Sequence, residues 1–296
     1  MRVFITGGSG VLGSNLAKSL TGHEVAYSYF NNNIKIGNFK SYKLDVANSK
    51  ETIKTIKDFK PDLVIHTVAV PSVYACETDK KLADTINVNG TKNVTDACKT
   101  VGAKIINIST AFVFDGTKKI YTEEDKPHPI NYYAVSKLEG ERVVINSGLS
   151  FIIVRTDQLY GWTVGNQKKN LVVKTLEGLE SKKPVEVCKD WYNNPTFVDN
   201  CSQAITELIK RNKQGIYHVV GSSYLNRYEW ALKIAEIFSL DKNLVRAIES
   251  SILKLPAKRP NCNLSNEKVE KDTGIRMLTV EEGLKSMLKN YSRVNS

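Results

Sequence analysis

Tyr133 and Lys137, in the stretch "YYAVSK", can move a proton together if one helix carries them both. A spacing of i, i+4 places two side chains on the same helical face. A tyrosine hydroxyl ordinarily titrates near pH 10. A neighbouring ammonium, and a positively charged nicotinamide ring where one is bound, favour the phenolate and make the residue an acid or base usable near neutrality. Thr110 ends the stretch "KIINIST", and its hydroxyl can hydrogen-bond an oxygen held near Tyr133. The chemistry that suits this trio is carbonyl reduction or alcohol oxidation: a hydride adds to the carbonyl carbon while its oxygen takes a proton. Asn87, in "INVNGTKN", is a candidate to steady Lys137 through a backbone or water contact. Taken singly, these residues have plainer readings as a packing aromatic, a surface charge and a strand-end hydroxyl. The argument therefore turns on the elements around them and on a source of hydride.

That source is suggested at the start of the chain. In "FITGGSGVLG", Gly7, Gly10 and Gly13 form G-x-x-G-x-x-G, with Ser9, Val11 and Leu12 completing the loop and the first helical turn. Such a loop, following a strand and opening a helix, lets backbone approach a pyrophosphate and offers it the helix N-terminus. A dinucleotide site is the expectation. An acidic residue at the end of the second strand would hold an NAD ribose. Here that region reads Tyr27, Ser28, Tyr29, Phe30, Asn31, Asn32, Asn33, with Tyr29 and Asn31 as candidate contacts and Lys35 as the nearest cation. The absence of a carboxylate there favours NADP(H), with NAD(H) as the alternative. Asp45, followed by Val46 at the next strand end, reads equally well as an acceptor for an adenine amino group or as the N-cap of the next helix. Thr67, Val68 and Ala69, ending an apolar run, complete the candidate cofactor set, and Val70 falls on the substrate side.

The elements that must position these residues alternate. Apolar β-rich runs at 2–6, 24–30, 62–70, 104–110 and 150–156 are separated by helical patterns at 11–20, 50–59, 79–101 and 132–145. This alternation predicts βαβ units, hence an α/β fold with a doubly wound parallel sheet. The carboxyl ends of such strands are where ligands bind, so Thr110 should share a cleft with the glycine loop. After about residue 160 the pattern loosens, with short strands at 184–188 and 216–221 and helices at 199–211, 226–239 and 279–290. Residues 1–160 are expected to form the dinucleotide-binding domain and residues 161–296 a smaller α+β unit, some of whose segments return to the first.

Bulk properties narrow the remaining classes. A chain of 296 residues with 41% hydrophobic content can bury a sizeable core. No apolar run approaches the ~18 residues of a membrane span, and no signal peptide is read at Met1. The five cysteines are widely spaced and none forms C-x-x-C. Free thiols in a reducing cytoplasm are expected, rather than disulfides or a metal site. The net charge of +11 comes from lysines spread along the chain, without a pattern of RNA- or zinc-dependent DNA-binding modules. Nucleic acid is therefore not the expected partner, whereas a phosphate-bearing cofactor or substrate suits the positive field.

The motifs "TGGSGVLG", "NVNGT", "IST" and "YYAVSK" resemble those of the extended short-chain dehydrogenase/reductase superfamily. Within it, "STAFVFDGTKKIYTEEDKPHPINYYAVSKLEGE", "VRTDQLYG", "NPTFVDN", "GIYHVVG" and "AKRPNCNLS" are similar to the dTDP-4-dehydrorhamnose reductase group, through nearly the whole chain. The resemblance implies a Rossmann domain with a small substrate-binding domain, an NAD(P)H cofactor and reduction of a keto group on a nucleotide-linked deoxy sugar. It places Thr110, Tyr133 and Lys137 at the catalytic positions and implies a soluble protein, with a homodimer as a candidate state. Three candidate substrate contacts depart from the group: Ala111 and Phe112 stand where it reads Asp and Tyr, and Gln158 where it reads Trp. Arg259, in "KRP", is a candidate phosphate clamp, since a guanidinium binds phosphate bidentately. The same group includes a non-catalytic member, the regulatory β subunit of methionine adenosyltransferase, so an NADP-binding regulatory subunit is the alternative. Epimerase or dehydratase chemistry ranks lower, because Ala111 and Phe112 supply no further acid or base beside Thr110.

Overall fold

The computed structural model describes residues 1–291. The chain enters through strand β1 (Arg2–Thr6), helix α1 (Val11–Ser19), β2 (Glu24–Tyr29), β3 (Lys40–Lys43), α2 (Ser49–Phe59) and β4 (Leu63–His66). It continues through α3 (Val73–Thr78), α4 (Lys80–Ala83), a π-helical turn (Asp84–Gly90), α5 (Thr91–Val101), β5 (Lys104–Thr110), α6 (Tyr132–Ile145) and β6 (Phe151–Thr156). Next come β7 (Leu159–Tyr160), α7 (Leu171–Glu180), β8 (Val185–Cys188), β9 (Tyr192–Asn193), β10 (Thr196–Phe197), α8 (Val198–Lys210) and β11 (Gly215–His218). The described chain closes with β12 (Leu225–Asn226), α9 (Arg227–Ile237), β13 (Val245–Ile248), α10 (Glu267–Thr273) and α11 (Val280–Lys289).

Seven parallel strands form the central sheet in the order β11-β6-β5-β4-β1-β2-β3. This is the α/β, Rossmann-type doubly wound sheet that the alternation predicts. Strand periodicity sorts the core between its two faces. Val3, Ile5, Leu63, Ile65, Ile152 and Val154 pack with α1 and α8, while the alternate Phe4, Val64 and Ile153 pack with α2, α5 and Val144 of α6. Strand order reverses between β1 and β4, so the loops after these two strands face one another across the crevice where such sheets bind ligands. A second cluster joins Leu176 of α7, Trp230 and Ile234 of α9 and Leu284 and Met287 of α11. β11, α8 and α10 lie on the main sheet although they come late in sequence. No helix among the described residues is long and apolar enough to cross a membrane.

Two expectations need correction. The run 62–70 is a strand only to His66, because beyond it the Thr67 hydroxyl turns back to donate to the Thr6 and Gly7 carbonyls and the Val70 N–H goes to the Asn87 side chain. The helix expected over 79–101 is broken by the π-helical turn, a form frequent at functional sites. Two glycines explain that turn's tight seating. A Cβ on Gly90 would come within 2.9 Å of Val46 Cγ2, and one on Gly140 of α6 within 2.8 Å of the Asn87 carbonyl oxygen.

Gly140 yields a prediction of unusual sign. In an open helix Gly→Ala stabilises by about 0.5–1 kcal/mol. At Gly140 the added methyl overpacks the turn, a cost of about 1–3 kcal/mol. Gly140→Ala is expected to lower the melting temperature by a few degrees, and a rise would show that α6 is not seated by this contact.

Candidate active site

The glycine loop is tighter than its spacing suggests. Gly7 takes φ +70°, and its N–H donates to Ser28 Oγ at 3.2 Å. Gly8, outside the expected triplet, is the most constrained, since a Cβ there would lie 2.4 Å from Tyr27 Cβ. A Cβ on Gly13 would lie 2.6 Å from Gly8 Cα. Gly10 caps α1 with no side-chain hydrogen bond, so the first N–H groups of the helix are left for a ligand. From the far half of the chain, Gln167 reaches back to donate to the Ser9 carbonyl at 2.9 Å and Ser14 Oγ at 3.1 Å. Nothing in the sequence motif points to Gln167. Val11 and Leu12 turn their side chains to the core cluster against the sheet rather than toward the crevice, so their part in the loop is made with backbone.

Around this loop, Tyr29 is partly exposed and Asn31 exposed at the end of β2, with no carboxylate between residues 27 and 33. Asp45 is not the cap of the next helix. Asn48 caps α2 by accepting from the Glu51 N–H, and Asp45 Oδ1 instead accepts from the Ala47 N–H at 2.9 Å. Val46 is buried under Gly90, and Asn93 fixes its carbonyl. Thr67, Val68, Ala69 and Val70 line the opposite wall, partly exposed. His66, fully buried, bridges Thr6 at 2.7 Å and Thr91 at 3.2 Å. Burial, and then the nearby Lys137 charge, push His66 down to about 3 and keep it neutral.

Thr110, the last residue of β5, stands beside the Tyr133 hydroxyl, and Lys137 follows one turn further along α6. Asn131 caps α6 by accepting from the Ala134 N–H at 3.0 Å, which places Tyr133 in the first turn. The Tyr133 ring meets Phe112 edge-on at 6.3 Å. Burial pushes its phenol up to about 12, while the Thr110 hydroxyl beside it pulls the other way. Lys137 is 3% exposed, and burial brings it down to about 8. Lys137 is not among the principal groups that move Tyr133; Thr110 and Arg259 are the neighbours that favour its phenolate. Asn87 makes no direct hydrogen bond to Lys137. Its side chain accepts from the Val70 N–H at 2.8 Å and donates to Ser136 Oγ at 2.9 Å, tying α6 to the loop after β4.

The expected substrate contacts separate. Ala111 is fully buried in a cluster with Val113, Phe114 and Ala134, so it presents no surface to a ligand. Phe112 borders a cleft with Trp191, Arg227 and Arg259. Gln158 is held in left-handed backbone, φ +35°, with its carbonyl accepting from the Thr196 N–H. The Arg259 and Arg227 guanidinium carbons each lie 4.7 Å from the centre of the Trp191 ring. Arg259 Nε is buried without a partner. Arg227 is pushed down to about 10, by burial first and then by the like charge of Arg259. Two cations on one indole suit an anionic group. Trp191 and Arg227 were missed because they only flank strands two residues long: Trp191 precedes β9, and Arg227 follows β12 as the first residue of α9. A surface cavity of about 360 Å³ lies elsewhere, at the amino ends of β1 to β3, where Arg2 is already paired with Glu24 and the Phe59 carbonyl.

The sequence profile of the RmlD substrate binding domain family matches residues 1–293. The chain belongs to that family. Among members and relatives, the dTDP-4-dehydrorhamnose reductase of Aggregatibacter actinomycetemcomitans is 29% identical over 97% of this chain and 98% of its own. The β subunit of methionine adenosyltransferase 2 from Rattus norvegicus is also 29% identical, over 91% of this chain and 81% of its own. In structure, the Bacillus anthracis dTDP-4-dehydrorhamnose reductase in complex with NADP superposes with a TM-score of 0.85 at 29% identity, covering 98% of this chain and 99% of the other. The family's parallel sheet is thus present here nearly end to end, as an NAD(P)-dependent oxidoreductase of the short-chain dehydrogenase/reductase type.

Asp157, the neighbour of Gln158, is 4% exposed and accepts from the Asn194 N–H at 2.9 Å and from Asn193 Nδ2 at 3.2 Å. Burial nevertheless pushes it up to about 6. A carboxyl with a raised folded pKa binds its proton more tightly in the folded state, so it lowers stability as pH rises from about 4 to about 6. Asp157→Asn removes that loss. The variant's melting temperature relative to wild type is expected to climb between pH 4 and 7, by the equivalent of about 2–3 kcal/mol at most. A pH-independent difference in thermal melts would contradict a buried, raised carboxyl.

Proposed function

We propose that this protein is an NAD(P)H-dependent reductase acting on a keto group of a nucleotide-linked deoxy sugar, as a dTDP-4-dehydrorhamnose reductase does. The observation that carries the reading is Thr110 at the end of β5 beside the Tyr133 hydroxyl, with Lys137 one turn further along α6, across the crevice from a glycine loop in which side chains would collide. The loop's uncapped helix N-terminus and the buried, unpaired Lys137 fit a dinucleotide. The NADP named with the Bacillus anthracis relative and the lack of a carboxylate at the end of β2 support NADP(H) over NAD(H). In this reading residues 1–160 hold the cofactor, while later residues, Trp191, Arg227 and Arg259 among them, hold the phosphates of the sugar nucleotide. Five buried free cysteines support a reducing, cytoplasmic setting. Exposed Tyr74 and Leu82, on neighbouring helices, support a homodimer.

The bound nicotinamide supplies the hydride. Thr110 hydrogen-bonds the carbonyl oxygen and Tyr133 gives it the phenolic proton. The high proton affinity of Tyr133 keeps that proton in place until negative charge develops on the substrate oxygen. Lys137, which holds its own proton less tightly, returns one to the phenolate.

Incubation with NADPH and a panel of 4-keto sugar nucleotides tests the activity directly through loss of cofactor absorbance. Tyr133→Phe is expected to lower the rate by about 10²–10⁴-fold while leaving cofactor binding and melting temperature near wild type. A variant that turns over like wild type would deny Tyr133 its role. A protein that binds NADPH and oxidises it with none of the panel would favour a regulatory subunit.

A further inference from the structure

We propose that Glu141 is a positioning residue of the proton-transfer site, a buried carboxylate, shared with Arg155, whose charge keeps the proton on Lys137. Tyr133, Lys137 and Glu141 recur every fourth residue of α6 and so form one stripe down its inner face. Glu141 is 0% exposed and Arg155 is 2% exposed. Glu141 Oε1 accepts from Ser109 Oγ and from Arg155 Nε at 3.1 Å, and Oε2 accepts from Arg155 Nη2 at 2.7 Å. Arg155 Nη1 has no partner, and the guanidinium lies 5.2 Å from the centre of the Phe114 ring. Burying such a pair is costly, and apolar residues of similar volume often serve stability as well or better. Its place directly behind a partnerless buried lysine gives it a second use.

The groups around Lys137 single out Glu141. Along its own helix Tyr133 stands one turn before it and Glu141 one turn after, α3 contributes the Cys76 thiol, and β4 contributes neutral His66. β5 offers the uncharged Ser109 and Thr110, and β6 offers Arg155 on the far side of Glu141. Burial works against the ammonium, and the Glu141 charge is the largest influence in its favour. With Lys137 protonated, the three ionised groups carry a net charge of one; without Glu141 the same buried space would hold two cations and no anion. Lys137 would then lose its proton at lower pH and stop serving as the donor that restores Tyr133.

The proposal rests on the reductase reading for what the proton is used for, but its test needs no turnover. Protein labelled with ¹³C at lysine Cε is titrated by NMR without substrate, and the Lys137 signal is assigned by its loss in Lys137→Met. Glu141→Gln is expected to lower the Lys137 midpoint by about one pH unit or more. A folded Glu141→Gln protein with the wild-type midpoint overturns the proposal, even if its melting temperature has dropped. Because that variant strands Arg155, Glu141→Gln/Arg155→Met is titrated beside it. With both charges gone and the nearer one dominant, the midpoint should still fall, by less, and an unchanged or raised midpoint also overturns the proposal. A lowered midpoint in a protein that reduces none of the sugar nucleotides leaves this inference standing and counts against the reductase reading alone.

Discussion

A methyl group at Gly140 would sit 2.8 Å from the Asn87 carbonyl oxygen, and the rest of the site depends on that space being empty. It lets α6 lie directly on the π-helical turn. The turn in its wider coil aims the Asn87 side chain at the Val70 N–H on one side and Ser136 on the other. One amide therefore ties together the loop after β4, the turn and α6. Since a packed interior transmits small displacements rather than absorbing them, the placing of Tyr133 against Thr110 follows from this seat. A motif search records Gly140 as one letter in "KLEGE"; in the fold it is the condition for the dyad to meet its strand.

Charge under the site follows from the same seat. With α6 pressed onto the sheet, Lys137 and Glu141 are turned almost wholly away from water, Lys137 toward His66 of β4 and Cys76 of α3 and Glu141 toward Ser109 of β5 and Arg155 of β6. Ionised groups this deep persist only when paired and hydrogen-bonded. Arg155 and Ser109 satisfy Glu141, and no side chain satisfies Lys137 directly. The lysine's hold on its proton is thus weakened by burial, while that of the phenol is strengthened. The sequence reading assigned the activation of Tyr133 to the Lys137 ammonium together with the nicotinamide ring. Burial acts on both residues and more strongly than either acts on the other, a balance that depends on the walls around them.

The cleft beside Phe112 is built differently. The Trp191 ring with Arg227 and Arg259, the Asp157–Asn194 bonds and the left-handed Gln158 come from short segments widely separated in the chain. Asn194 accepts from the Leu264 N–H and donates to Asn263, so the segment carrying Arg259 is anchored by a residue some seventy positions earlier. Strands of two residues have no periodicity to read. Ala111 and Phe112, adjacent in sequence, differ for a related reason: the 3₁₀ turn after β5 buries both in one cluster, and of the two only Phe112 also borders the cleft with Arg259.

From the sequence alone, alternating apolar strands and amphipathic helices determined the parallel sheet, and the glycine spacing with the Tyr133–Lys137 interval determined where a dinucleotide and a proton donor would stand. These features are local: they depend on residue size, on the helical and strand repeats and on the position of a turn. Gly8 as the tightest point of the loop, Gln167 clamping it, the π-helical break in the expected long helix and the Glu141–Arg155 pair behind Lys137 were decided by tertiary structure. Each is a contact between segments distant in the chain, and whether a side chain there is crowded, paired or stripped of water depends on a neighbour that its own stretch of sequence does not contain.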